Sequence, residues 1–169
     1  MEELYREESS TSVDRKIVAA LVLLVIAAFL YDESVNYYNS GRINIMSWGM
    51  YLCFLGLWIW RVAFDYTLIL YRDRKLKVVS HGLGIINRSY VVDLTHTESF
   101  TNRYVKSFFR KTKISHYIHR YNSLDSNQQR LLVFTEGKNN NKLAGLLFKA
   151  SDEFVRQLKR QLPDKYIEL

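Results

Sequence analysis

Two long apolar stretches open the chain, and a succession of short alternating ones completes it. The first, Ile17–Tyr31 (IVAALVLLVIAAFLY), carries no charge; the second, Ile43–Trp60 (INIMSWGMYLCFLGLWIW), ends at Arg61. As helices they measure about 22 Å and about 27 Å, against roughly 30 Å of bilayer hydrocarbon. Arg15 and Lys16 can extend the first by snorkelling, and Trp48, Trp58 and Trp60 flank the second as interfacial aromatics do. The pattern predicts a polar tail over 1–14 and a transmembrane helical hairpin over 15–62, with spans over about 15–33 and 43–61. DESVNYYNSGR is the connecting loop, and Gly49, Cys53 and Gly56 form a small-residue seam for Ala20 and Ala27. A soluble core helix would carry a polar stripe, which neither run has. A signal peptide would carry a basic leader and a small-residue cleavage site, whereas the flanks here are EELYREESS and YDESVNYYN.

Beyond Arg61 the period shortens. YTLILY (66–71), LKVVS (76–80), Ile85–Asn87, YVVDL (90–94), KISHYIHRY (113–121), RLLVFT (130–135) and KLAGLLF (142–148) read as strands. RDRK, HGLG (81–84), NSLDSNQQ (122–129) and EGKNNN (136–141) separate them as polar turns. The last element is a helix over 151–162: Ser151 caps it, Asp152 and Glu153 suit its N-terminus, and Pro163 stops it. Phe154, Leu158 and Leu162 make one apolar stripe with Val155 beside it, spaced to cover an open sheet. Repeated short strands without βαβ spacing predict an antiparallel sandwich or barrel over 63–169.

Charge divides at the same boundary. Residues 1–60 hold four Lys/Arg against seven Asp/Glu, and residues 61–169 hold twenty against ten. A basic second part suggests an anionic partner. Lys/Arg near the helix ends (Arg6, Arg15 and Lys16 before, Arg61, Arg72, Arg74, Lys75 and Lys77 after) outnumber the one in the loop, Arg42. The positive-inside tendency then places both termini in the cytoplasm. On that side the sequon Asn87-Arg88-Ser89 is not glycosylated.

Two apolar N-terminal runs leading into YTLILYRDRKLKVVSHGLGIINRSYVVDLTH, a basic aromatic segment, two hairpins and FKASDEFVRQLKRQL resemble the bacterial pleckstrin-homology-like (PH-like) membrane proteins. The resemblance spans about residues 15–162 and implies an α+β chain: a two-helix anchor in the bacterial cell membrane and a cytoplasmic PH-like β-barrel or sandwich capped by a C-terminal helix. It carries over no catalytic motif.

The residues themselves offer little chemistry. His116-x-x-His119 has metal-like spacing, but the alternation Ile114, His116, Ile118 makes a strand and sends the two rings to opposite faces. The lone Cys53 excludes disulfides and cysteine zinc sites. No P-loop, dinucleotide fingerprint or nucleophile elbow occurs, and Asp93 and Glu98 read as surface carboxylates. The expectation is a non-enzymatic protein without cofactor or metal. The densest cationic stretch is NRYVKSFFRKTKISHYIHRY (102–121). Arg103, Lys106, Arg110, Lys111 and Lys113 there, with Arg72, Arg74 and Lys75, are candidate contacts for anionic lipid head groups. Phe108 and Phe109 are either membrane-facing or core. Nucleic acid would need a readout element and is not expected. The other reading is a scaffold that recruits another membrane protein through the hairpin or a sheet edge.

Overall fold

A computed structural model describes residues 2–82, 85–109, 113–136 and 142–169, except the side chain of Phe108. The chain is α+β. Its first element is a strand: β1 (Glu3–Glu8) pairs antiparallel with β2 (Phe64–Tyr71), Glu8 opposite Thr67 and Glu3 opposite Tyr71. The segment expected as a polar tail alternates Tyr5 and Glu7 inward with exposed neighbours, the pattern of an edge strand. β3 (Lys75–Gly82) and β4 (Ile86–Asp93) complete a four-stranded antiparallel sheet in the order β1-β2-β3-β4. Ile85–Asn87 and Tyr90–Leu94, expected as two strands, fall largely in the single strand β4.

Between β1 and β2 the chain makes a helical hairpin. α1 (Val13–Ser40) runs through most of the expected loop, because no helix breaker occurs before Gly41. Gly41 takes φ 65° and donates its N–H to Tyr37 O, closing the helix with a left-handed residue as glycine permits. α2 (Ile45–Val62) begins at Asn44, whose side chain accepts from Ser47 N. α2 is long and apolar enough to cross a membrane, with a mean hydropathy of 1.3 and no buried residue. The helices meet through Ala19 and Ile26, the Trp58 Nε1 donation to Ala19 O (3.1 Å) and the Phe29–Tyr51 stack. The expected small-residue seam is not where they meet. Nothing lies within 4 Å of where Gly49 or Gly56 would carry a Cβ, and Cys53, Ala20 and Ala27 are exposed. The bulky Trp58 and the Phe29–Tyr51 pair set the contact instead.

The second sheet has the order β6-β8-β7-β5-β9, from β5 (Thr97–Thr101), β6 (His116–Arg120), β7 (Gln128–Glu136), β8 (Lys142–Ala150) and β9 (Tyr166–Ile167). β7 pairs antiparallel with β8 and β5, while β6 on β8 and β9 on β5 are parallel. A 3₁₀ turn, Leu94–His96, leads into β5, and a single helical turn, α3 (Lys106–Phe109), precedes β6.

Neither sheet closes on itself, so the barrel alternative is not realised; the two sheets share one core instead. Leu68, Leu70, Leu76, Val78 and Val92 face Phe100, Leu132, Phe134, Leu146 and Phe148 across it. α4 (Asp152–Gln161) covers its open side with Phe154, Val155, Leu158 and then Leu162, as the apolar stripe predicts. Ser151 caps the helix through Phe154 N (3.2 Å). The opposite face of β7 and β8 carries a smaller cluster, Leu131, Val133 and Leu147 under Phe109. Both faces of these strands are therefore buried, which explains the unbroken apolar runs in RLLVFT and KLAGLLF.

A candidate anion cleft at the helix–sheet junction

The segment 121–127 joins the helices to the sheets. Asn122 is buried; its Nδ2 donates to Val62 O and Asp65 Oδ1, each at 3.1 Å, while its Oδ1 accepts from Leu124 N. Ser123 N donates to Arg61 O, and Arg15 Nη1 donates to Leu124 O and Asp125 O. Lys149 Nζ donates to Asp125 O at 2.6 Å and to Ser123 O at 3.1 Å. Burial pushes the Lys149 ammonium below and the Asp125 carboxyl above their ordinary values, so desolvation outweighs their mutual attraction. Glu7 of β1 binds the other side of this region, accepting from Ser151 N, Ser151 Oγ and Asn127 Nδ2.

Beside this junction lies a cleft of about 240 Å³ between the end of α2 and the edges of both sheets. Trp60, Phe64 and Tyr66 form its aromatic wall, and Arg88, His119 and Arg120 its polar one. The wall depends on Gly82: a Cβ there would run into the Phe64 ring directly across the strand pair. Arg61 stacks on Trp60 at 4.6 Å, lies 5.6 Å from the Tyr121 ring centroid and donates to Tyr121 Oη at 3.0 Å. The Arg120 guanidinium sits 5.7 Å over the Tyr90 ring. Its Nε is closed off from solvent and has no hydrogen-bond partner among the described residues. No carboxylate lines the cleft among the described residues. Burial, reinforced by the Arg61 charge, lowers the pKa of His119, which favours the neutral imidazole. Burial raises that of Tyr66 against the opposing pull of Arg120 and Arg61.

The residues singled out by sequence are scattered. Arg72, Arg74 and Lys75 occupy the β2–β3 turn, eight strand residues from the end of α2, roughly 26 Å along β2. Arg72 pairs with Glu2 (3.1 Å) and Lys75 with Asp73 (3.0 Å), while Arg74 adopts a left-handed φ of 55°. Arg103 and Lys106 are exposed near the start of β7, where Tyr104 N donates to Gln129 O. Lys113 is exposed ahead of β6, and Arg110 and Lys111 lie outside the described residues. So do Leu83 and Gly84 of the expected HGLG turn, and 137–141 of EGKNNN. Phe109 is core, 3 % exposed and stacked near Tyr104 with centroids 6.2 Å apart. The aromatic patch between the basic residues thus points at least partly inward.

His116 and His119 sit on one strand and reach separate surroundings, and no cluster of three metal-ligating side chains occurs among the described residues. His116 Nε2 pairs with Glu136 Oε2 at 3.2 Å, and Ser115 Oγ lies 3.2 Å from His116 Nδ1. The Ser115 hydroxyl donates to Leu143 O at 2.7 Å, so its proton is not directed at the imidazole. Glu136 also accepts from Tyr90 Oη, and burial followed by that carboxylate pushes the phenol up to about 12. Asp93 is a cap: Thr95 N and Oγ1 hold its carboxyl below the usual range.

Sequence reasoning missed Arg61, Arg88, His119 and Arg120 as a group. Arg120 and His119 lay in the basic stretch already singled out, but nothing local tied them to Trp60 or to the sequon arginine. No family model, curated protein or solved structure matches this chain.

Proposed function

We propose that this chain is a membrane-anchored, non-enzymatic binding module of the PH-like kind, whose basic surface near the anchor meets anionic lipid head groups. The observation that carries the reading is the apolar surface of the helical hairpin. Ile17, Leu21, Leu24, Val25 and Phe29 on α1 and Met46, Leu52, Phe54 and Leu57 on α2 are all exposed. A continuous apolar surface of this kind is foreign to a helix pair in water and ordinary in lipid. The β1–β2 pairing supports two spans rather than one. Ser9 N donates to Tyr66 O and Ser126 N to Ser10 O, so the chain entering α1 and the chain leaving α2 are held side by side. On this reading α1, whose 28 residues measure about 42 Å, crosses first and α2 crosses back, α2 being the one helix among the described residues with the length and hydropathy of a span by itself. The Lys/Arg excess at that end supports a cytoplasmic β domain.

The scaffold reading draws on the glycine-bearing face of α2, where no described residue lies within 4 Å of the positions a Cβ would take at Gly49 and Gly56. The two readings differ in whether anionic lipid is needed. In the scaffold reading, neutralising Lys106, Arg110, Lys111 and Lys113 leaves the partner contact intact.

The anchoring half is tested by labelling in sealed vesicles. In a Cys53→Ser background, single cysteines at Glu3, Ser40 and Asp164 are exposed to a membrane-impermeant maleimide. The expected result is that Glu3→Cys and Asp164→Cys react from one side and Ser40→Cys from the other. Reaction of all three from one side would sink the two-span anchor.

A further inference from the structure

We propose that the cleft bounded by Trp60, Arg88, His119 and Arg120 binds the phosphate of an anionic lipid head group. The inference rests on the anchoring reading above, which sets Trp60, in the last turn of α2, at head-group level. It takes His119 and Arg120 from the end of the cationic stretch and joins them to Trp60 and Arg88, leaving out the candidate contacts Arg103, Lys106, Arg110, Lys111 and Lys113.

Four features converge on a phosphate. Two arginines line the space and no carboxylate does, among the described residues. Neither arginine has an ion-pair partner among those residues, unlike Arg72, Lys75 and Arg130. The Arg120 guanidinium has no hydrogen bond to any described residue, its buried Nε included, so it is not committed within the fold and can turn to a phosphate with charge-assisted bonds. Arg61, fixed between Trp60 and Tyr121, adds positive potential beside the cleft without being drawn into a salt bridge. The aromatic wall then decides between a free anion and a lipid. Trp60, Phe64 and Tyr66 offer apolar surface beside the cations, which suits the glycerol backbone of a phospholipid and gives nothing to a hydrated inorganic ion. A neutral His119 contributes one N–H donor and adds no charge that the lipid phosphate would have to neutralise. The β2–β3 turn is a poorer candidate: its cations are partly paired, and roughly 26 Å of strand separates them from the anchor, well beyond a Debye length of about 8 Å.

The test uses the full chain in zwitterionic detergent micelles doped with phosphatidic acid or phosphatidylglycerol, with retained lipid counted by native mass spectrometry. Wild type should keep a bound anionic lipid. Arg88→Gln/Arg120→Gln should weaken retention roughly tenfold to thirtyfold, since each arginine near a phosphate adds on the order of one decade or less. Arg72→Gln/Arg74→Gln, with the same loss of charge, should retain lipid as wild type does. Arg88→Gln alone, on an exposed side chain with no bonded partner among the described residues, should give a partial loss and guards against misfolding of the double variant. Equal retention in wild type and the Arg88 and Arg120 variants overturns the proposal, as does equal loss in the remote pair. Millimolar inorganic phosphate should not displace the lipid; if it does so while binding as tightly, the site is one for free phosphate and the head-group assignment falls. Flotation of each variant with phosphatidylcholine vesicles reports separately on the anchor. A chain that floats but ignores Arg88 and Arg120 refutes the cleft alone, and one that fails to float refutes the anchoring reading beneath it.

Discussion

The contact between β1 and the N-cap of α4 gives a sharp test of how the β domain is held together. Glu7 takes three hydrogen bonds: Ser151 Oγ at 2.6 Å, Ser151 N at 2.7 Å and Asn127 Nδ2 at 3.2 Å. Hydrogen bonds to a charged group contribute about 1.5–3 kcal/mol each when buried. This site is half-buried and the three share one carboxylate, so the whole is worth about 2–3 kcal/mol. Part of that arises because Ser151 must also cap α4, and Glu7 fixes the hydroxyl that does so. For a domain of this size about 1 kcal/mol shifts the melting temperature by roughly 4 °C or a little more. Glu7→Ala should therefore lower the Tm of the full chain in lipid nanodiscs by roughly 8–12 °C, followed by near-ultraviolet circular dichroism. Glu7→Gln should lose about half as much, because one acceptor oxygen remains. Glu8→Ala removes the same charge one residue away from an exposed side chain and serves as the control. If Glu7→Ala costs no more than Glu8→Ala, β1 does not clamp the α4 cap and the edge strand is incidental to stability.

Other outcomes follow from the same geometry. Phe154→Ala removes a fully buried ring that meets Tyr5 and Phe148 edge-on, and should cost about 3–5 kcal/mol in the same melt; a loss below about 1 kcal/mol would refute the role given to α4. Gly82→Ala should displace the Phe64 ring and reduce anionic lipid retention along with stability, and an unchanged melt with unchanged retention would show that the ring has room to move. Arg74→Gly relieves a left-handed arginine and should raise stability by about 1 kcal/mol without touching lipid retention. His119 has a folded-state pKa below its unfolded value near 6.5, so it costs stability as pH falls below 6.5, where the unfolded chain takes up the proton first. His119→Gln should flatten that acid-side slope in pH-dependent melts, and an identical slope would remove His119 from the account.

The elements that the sequence announced are those whose signal is local. The α4 stripe and its Ser151 cap are complete within a dozen residues, and β7 and β8 declare themselves because both faces are buried. β1 was invisible for the opposite reason. ELYREE is half solvent-facing, and its partner, β2, lies beyond the whole hairpin. β5 (TESFT) is short and polar, buried through Thr97 and Thr101 as much as Phe100. The cleft was illegible because its parts come from α2, β2, β3, β4 and β6, and only the tertiary fold brings Trp60, Arg88 and Arg120 together. Spacing could show that cations were plentiful; it could not show which ones lacked an acidic neighbour.

The placement of the hairpin inside the β1–β2 connection has a consequence for biogenesis. β1 leaves the ribosome before its partner and cannot pair until α1, α2 and β2 have all been made, so the sheet closes only after the helical hairpin is complete. Under the anchoring proposal, a chain that delivered only one helix into the bilayer would strand β1 on the wrong side. The backbone of β2 from Thr67 to Tyr71 would then be left as a bare edge, the kind of feature that invites aggregation. Under that proposal, completion of the sheet serves as a built-in check that insertion has finished.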